Sequence, residues 1–133
     1  MPLQKSVTVQ NSMLDALETA IGTSPFLQIR TGVPPANCAA ADTGTLLMEL
    51  ALPADWLANA ASGIKGRNGT WTGTGIAAGV AAHFRIKNNA KTATHLQGTV
   101  AQSSGGDLNL DNTNIAVGQV LNITTFNIDD GND

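Results

Sequence analysis

The stretch that decides the fold runs from Ala81 to Ile128 and reads AAHFRIKNNAKTATHLQGTVAQSSGGDLNLDNTNIAVGQVLNITTFNI. At its start, Phe84 and Ile86 alternate with His83 and Arg85. Successive side chains of a strand point to opposite faces of the sheet. This alternation therefore predicts a sheet with one buried face and one solvent-exposed face.

The same alternation continues in three later segments, 95–100, 107–111 and 121–128. Residues that favour turns separate the segments, at 88–90, 103–106 and 112–114. The stretch therefore predicts four antiparallel strands joined by short turns.

The last of these strands contains a change of parity. Leu121 and Ile123 share one parity, whereas Phe126 and Ile128 share the other. A strand changes its buried face only if it carries an extra residue, so the sequence predicts a β-bulge at 124–125.

One helix is predicted upstream, from Asn11 to Gly22, with Asn11 or Ser12 as its N-cap and Gly22 as its end. Asp15 and Glu18 are expected to point outward. The helix carries an apolar stripe at helical spacing, formed by Met13, Leu14, Leu17 and Ile21. Because so short a helix is unstable alone, this stripe must pack on the sheet or on a neighbouring subunit.

The whole chain of 133 residues is predicted to form a single domain. Further strands are expected at 26–30, 45–52, 63–65 and 69–74, for about eight in total. Such a series of short strands predicts a mostly β fold, an antiparallel β-sandwich or jelly roll with one short N-terminal helix. The predicted organisation is an arm at 1–10 with an extended piece at 6–9, a helix at 11–22, a β-sandwich at 26–128 and a flexible acidic tail at 129–133.

Charge and composition exclude several classes of function. The net charge is −3 and the basic residues are scattered, which argues against a nucleic-acid-binding surface. No apolar run approaches the roughly 20 residues of a membrane span, and the N-terminus lacks a signal-peptide pattern. We therefore expect a soluble protein made in a reducing cytoplasm, in which the single Cys38 has a structural or incidental role.

Candidate catalytic or metal-binding residues are few. His83 and His95 are placed at the starts of two adjacent strands and could bind a metal across them, but no third ligand is evident, so solvated or interface histidines are favoured. Asp107, Asp111 and the carboxylates of 129–133 offer oxygen ligands for Ca²⁺, although turn formation and solubility explain them better. No phosphate-binding loop or nucleophile motif is present. The sequence predicts a protein that is not an enzyme and holds no metal or cofactor.

Three parts of the chain resemble a family of small virion proteins of tailed bacteriophages. The resemblance covers about residues 10–128, and its motifs are structural. They are IRTGVPPA at 29–36 with DTGTLL at 42–47, AHFRI at 82–86 with HLQGTV at 95–100, and GDLNL at 106–110 with GQVLNITTF at 118–126.

This resemblance implies a capsid cement or decoration protein. Such a protein would form a homo-oligomer on the capsid surface and bind across neighbouring major capsid protein subunits, with no nucleic acid or membrane partner. The helix stripe named above, Met13, Leu14, Leu17 and Ile21, supplies the candidate oligomer or capsid contacts.

Two alternatives remain open. One is a tail or neck component of the virion. The other is a carbohydrate-binding β-sandwich, which would need exposed aromatic side chains in a shallow groove. Trp56 and Trp71 are the only tryptophans, so their burial decides whether they can serve this purpose.

Overall fold

The computed structural model describes residues 3–129. Its fold is mostly β, with one N-terminal helix and a curled mixed sheet that forms a half-barrel, as expected for a β-sandwich-like class. The elements are α1 (Val7–Ile21), β1 (Phe26–Arg30), β2 (Leu46–Ala51), β3 (Ile64–Gly66), β4 (Thr72–Thr74), β5 (Gly79–Val80), β6 (His83–Lys87), β7 (Thr94–Gln102), β8 (Leu108–Leu110), β9 (Asn114–Ile115) and β10 (Val120–Asp129).

The main sheet has the strand order β2-β1-β6-β7-β8-β10-β3, and β4 also pairs with β10. The predicted strands are all present, and the two additional ones, β5 and β9, form a separate two-stranded sheet. The prediction of antiparallel pairing throughout was wrong at one place, because β7 and β8 run parallel. The connection at 103–107 passes close to the backbone of β7. At Gly106 a Cβ would lie only 2.7 Å from the amide nitrogen of Ala101, so this close approach requires glycine.

The predicted β-bulge in β10 is confirmed. Ile123 pairs with Leu110 and Thr125 pairs with Asn109, so Thr124 is the extra residue. The bulge explains how side chains of both parities reach the core in one strand, since Ile123 and Phe126 are both buried.

The core contains a chain of aromatic side chains. The ring centroids of Trp56 and Trp71 lie 6.1 Å apart, and that of Trp71 lies 5.4 Å from Phe126. Phe84 meets Phe126 edge to face. Both indole N–H groups are satisfied: that of Trp56 donates to the carbonyl oxygen of Gly22, and that of Trp71 donates to a loop carbonyl oxygen. Both tryptophans are fully buried and thus do not form an exposed carbohydrate-binding platform.

Helix α1 begins earlier than the sequence predicted. The extended piece expected at 6–9 is instead the first helical turn, because Ser6 is the N-cap and its hydroxyl accepts a hydrogen bond from the amide of Val9. Capping and tertiary contacts here outweigh the β propensity of the Val-Thr-Val segment. The helix ends at Gly22, as predicted.

The apolar stripe of α1 packs largely on its own chain. Leu14 and Ile21 are buried and Leu17 is partly buried, whereas Met13 is 52% exposed. The assignment of this stripe to contacts with other chains stays a prediction, and Met13 is its exposed member.

Asp15 is half exposed, in line with the expected outward position, whereas Glu18 is partly buried, and both carboxylates have partners in the 57–65 segment. Asp15 accepts hydrogen bonds from the amide of Ala60 and, at 2.6 Å, from the ammonium group of Lys65. Glu18 accepts from the amide of Leu57 and lies 3.0 Å from the same ammonium group. These carboxylates fix the helix to the 57–65 segment, and they neutralise a lysine side chain that is only 1% exposed.

Burial by itself would lower the pKa of Lys65. Hydrogen bonds from its ammonium group to Asp15 and Glu18 outweigh that effect, so the pKa is raised above its ordinary value. Lys65 is therefore charged, and it belongs to the structure of the fold rather than to an accessible basic surface.

Candidate functional site: a polar cluster beneath a cover loop

The face of β6 that was expected to contact solvent is covered. The side chain of His83 is fully buried and that of Arg85 is 1% exposed. The covering segment is the irregular connection between β1 and β2, residues 31–45, which we call the cover loop. The prediction of a solvent-exposed face was wrong here because alternation shows which residues share a face, not what lies above it.

The cover loop is closed at its base by Thr31 and Thr45. The amide of Thr31 donates to the carbonyl oxygen of Thr45 at 3.1 Å, and the amide of Thr45 donates to the hydroxyl of Thr31 at 2.9 Å. Gly44 lies at this closure with φ +71°, and a Cβ at that position would overlap the carbonyl oxygen of Thr31. The closure therefore needs glycine for both conformation and space.

Side chains of the sheet bind the carbonyl oxygens of the cover loop from below. The Nδ1 atom of His83 lies 2.8 Å from the carbonyl oxygen of Gly32 and must carry the proton, since a carbonyl only accepts. The amide group of Gln97 donates to the carbonyl oxygen of Pro35 at 2.8 Å. The guanidinium of Arg85 donates to the carbonyl oxygen of Cys38 at 3.0 Å. The loop is thus held as an ordered layer on β6 and β7.

Asp42 is the charged contact between the cover loop and the sheet. Its carboxylate accepts hydrogen bonds from Lys87 at 2.6 Å, from Arg30 at 3.3 Å and from Arg85. Burial alone would raise the pKa of Asp42. The hydrogen bonds from Lys87 and Arg85 and the charge of Arg30 outweigh that effect, so the pKa is lowered.

The cluster extends across β1 to β2 through Gln28. The side-chain amide of Gln28 donates to Glu49 at 2.8 Å, and its carbonyl oxygen accepts from Arg30 at 2.9 Å. Lys91 donates to the other oxygen of Glu49 at 2.6 Å. Burial opposes ionisation of Glu49, but the hydrogen bonds from Lys91 and Gln28 prevail and lower its pKa.

Strand register explains why these side chains meet. Glu49 pairs with Gln28, Gln28 pairs with Arg85, and Arg85 pairs with Gln97, so the four residues form one row across β2, β1, β6 and β7. Directly paired residues project from the same face. Sequence reasoning missed this row because it requires the strand order. The available signal was the matching parity of polar residues in β1 and β6.

The cluster carries a surplus of positive charge in an otherwise acidic chain. Its four cations, Arg30, Arg85, Lys87 and Lys91, face two carboxylates. An open depression of about 670 Å³ adjoins the cluster, and we call it the basic depression. Its lining comprises the segment 38–42, the side chains of Arg85 and Lys87, and the segment 92–94.

The two histidines do not form the cross-strand pair that was considered, and the favoured solvated position is wrong for His83, which is buried. His83 pairs with Thr99 in the register of β6 and β7, whereas His95 lies near the opposite end of β7 and is exposed. Across residues 3–129, no group of three His, Cys, Asp or Glu side chains is arranged to hold a metal ion.

The carboxylates considered for Ca²⁺ have structural partners where the structure describes them. Asp107 accepts from the amide and the hydroxyl of Thr99. Asp111 accepts from the amide of Asn122 at 3.2 Å. Asp129 ends β10, and the remaining tail carboxylates lie outside the described residues.

Exposed apolar side chains occur in two further regions. The helix patch lies around the start of α1 and comprises Leu3, Val7, Val9 and Met13, of which Val9 and Met13 share one face of the helix. The apolar rim lies where the β4–β5 and β9–β10 connections meet, and comprises Ile76, Val80, Val117 and Val120. Each of these eight residues is 47% exposed or more.

No helix within residues 3–129 has the length and apolar character needed to cross a membrane. In comparisons with known proteins, the chain matches no family model, no curated protein and no solved structure.

Proposed function

We propose that this chain is a structural protein of a tailed-phage virion, most specifically a capsid decoration protein that binds across neighbouring major capsid protein subunits as a homo-oligomer. The sequence resemblance suggests this role. The observation that carries it further is the presence of two separate exposed apolar surfaces, the helix patch and the apolar rim, on one rigid β fold. Such surfaces on a small protein are typical of sites that bind other proteins.

The two surfaces lie towards opposite ends of β10. At the start of the strand, Val120 belongs to the apolar rim and pairs with Thr74 of β4. At its end, residues 127–129 pair with β3, which belongs to the 57–66 region bound by α1. Ten strand residues span roughly 30 Å. This separation suits a protein that contacts two different subunits at once.

Such a protein would stabilise a capsid shell because each bound copy adds interface area between capsid subunits. Each apolar surface comprises four exposed side chains, far fewer than the roughly 20–30 residues a side of a stable interface, so one contact alone would be weak. Two contacts on one rigid protein, repeated over many copies, act together because binding at one site raises the effective concentration at the other. The acidic net charge of −3 would also limit attachment to the genome.

The test is the copy number of this chain relative to the major capsid protein in purified virions, measured by quantitative mass spectrometry. A ratio of order one is expected for a decoration protein. A few copies per particle would instead indicate a tail or neck component, and absence from the particle would reject the virion function.

A further inference from the structure

We propose that the basic depression is a docking site for an acidic segment of a protein partner, whose carboxylates approach Lys87 and Arg85. This inference rests on the proposed function in one respect, namely that the chain works by binding other protein subunits. It adds a polar, charge-selective contact to the two apolar surfaces.

Charge balance is the first argument. Asp42 is the one carboxylate among the described residues that forms ion pairs with Arg30, Arg85 and Lys87. Glu49 binds Lys91 and also acts on Lys87 through its charge, so four cations face two carboxylates in the cluster as a whole. Partly buried cations without full compensation are costly, and an incoming carboxylate would lower that cost.

The second argument is unused hydrogen-bonding capacity at a built site. The side chain of Arg85 lines the depression and is 1% exposed; its terminal nitrogens bind Asp42 and two carbonyl oxygens of the cover loop, and its buried Nε–H group has no acceptor within the described part of the chain. Lys87 also lines the depression, and its side chain is 14% exposed. A guanidinium and an ammonium group beside one open space favour a carboxylate as ligand.

Other basic groups limit the choice of partner. Lys65 is buried against Asp15 and Glu18, and Arg67 donates to the carbonyl oxygens of Gly69 and Thr124. The positive charge is thus local to the polar cluster, with Arg85 and Lys87 at the depression itself, and does not form a track along the surface. A nucleic acid requires such a track of cations, whereas a short acidic peptide segment requires only a local surplus.

The experiment measures binding of a hexaglutamate peptide to the whole chain by isothermal titration calorimetry at low ionic strength. Lys87→Gln removes one charge and keeps a long side chain. Thr94→Glu provides a second route, because Thr94 lines the depression directly opposite Lys87 and would supply a competing carboxylate from the chain itself. Lys5→Gln is the control, since it removes the same charge away from the depression. Circular dichroism establishes that each variant is folded.

We expect the peptide to bind, its affinity to fall with added salt, and each of the two site variants to weaken binding about tenfold or more, as loss of a charged hydrogen bond would. Lys5→Gln should bind as the unaltered chain does. The proposal is overturned if hexaglutamate does not bind, if Lys5→Gln weakens binding equally, or if the peptide binds no better than acetate. Because these measurements use isolated protein, they are independent of the virion copy number that tests the proposed function.

Discussion

At the scale of single residues, Asp42 joins two parts of the chain that are distant in sequence. It belongs to the cover loop, whereas the cations that it binds belong to β1 and β6. Loss of this carboxylate would leave Arg30, Arg85 and Lys87 close together without an opposing charge. Since the breaking of a buried ion pair is far more destabilising than the loss of an exposed one, this position should be sensitive.

Asp42→Asn should therefore lower the free energy of unfolding by about 2–3 kcal/mol, somewhat less than for a fully buried pair because the Asp42 side chain is 27% exposed. Urea denaturation measures the change. Asp55→Asn is the matched control, since Asp55 is exposed and its carboxylate accepts from the neutral amide of Asn68. We expect a change below about 0.5 kcal/mol for the control. Equal effects of the two substitutions would contradict the role given to Asp42.

The pH dependence of stability follows from the same groups. The pKa values of Asp42, Glu49 and Asp15 are lowered from their ordinary values of 3.8, 4.5 and 3.8. A carboxyl with a lowered folded-state pKa stabilises the fold above its unfolded-state pKa, and that contribution is lost as the pH falls through the folded-state value. The free energy of unfolding should therefore hold above about pH 5 and fall below about pH 4.

Lys65 should act at the other end of the pH range. Its pKa is raised above 10.5, so its contribution should persist to that pH and disappear as the pH rises through the folded-state value. Urea titrations across the pH range test both limits. Asp42→Asn should reduce the loss of unfolding free energy in acid and leave its loss at alkaline pH unchanged. An unaltered pH dependence of stability in acid would show that Asp42 is not among the responsible groups.

At the scale of elements, alternation in the sequence predicted the strands well. The bulge in β10 follows from which residues must share a face, and the structure has it. The strand expected at 26–30 is also present, as Phe26–Arg30. The start of α1 was wrong because Val7, Thr8 and Val9 favour strands in isolation. Their helical state depends on Ser6 as a cap and on contacts of α1 with the 57–65 segment.

The polar cluster was not predictable from the same pattern. Arg85 was correctly placed on the face of β6 opposite to that of Ile86. Its burial, however, comes from the cover loop, which lies about forty residues earlier in the sequence. Local alternation contains no information about such a distant segment, and the Pro34-Pro35 pair indicates only that this segment is not a strand. The candidate site therefore depends on tertiary contacts.

Closure of the cover loop leads to a prediction at Gly44. Gly44→Ala places a Cβ against the carbonyl oxygen of Thr31 and also forces alanine into φ +71°. Gly118→Ala is the matched control, because Gly118 has φ +83° and an alanine Cβ there would have no neighbouring atom within 4 Å. Gly118→Ala should lower the free energy of unfolding by about 1 kcal/mol through backbone conformation alone, and Gly44→Ala should lower it by clearly more. Urea denaturation compares them, and equal costs would mean that the loop base relaxes freely.

At the scale of the whole molecule, the two apolar surfaces matter through their separation. The helix patch and the apolar rim both expose aliphatic side chains, but they lie on different parts of the fold. A protein that bridges subunits should need both surfaces, whereas a protein that binds at one place should need only one.

Met13→Asp and Val117→Asp test this requirement, since both side chains are more than half exposed and the fold should tolerate a charge there. Each substitution should lower the copy number on virions by about tenfold, because loss of one contact removes the gain from simultaneous binding. Val33→Asp is the control, as Val33 is 81% exposed and belongs to neither surface. Unchanged copy numbers, or an equal loss for Val33→Asp, would contradict the two-surface arrangement.

The position of β10 in the sheet has a consequence for synthesis on the ribosome. This strand pairs with β3, β4 and β8, yet it is the last of the described strands to be made. β3 and β4 therefore leave the ribosome without a strand partner, and β8 leaves it with only β7 beside it. Pairings distant in sequence, such as that of β3 with β10, form slowly. The growing chain would expose its unpaired strands during translation, and the sheet can be completed only once β10 has been made.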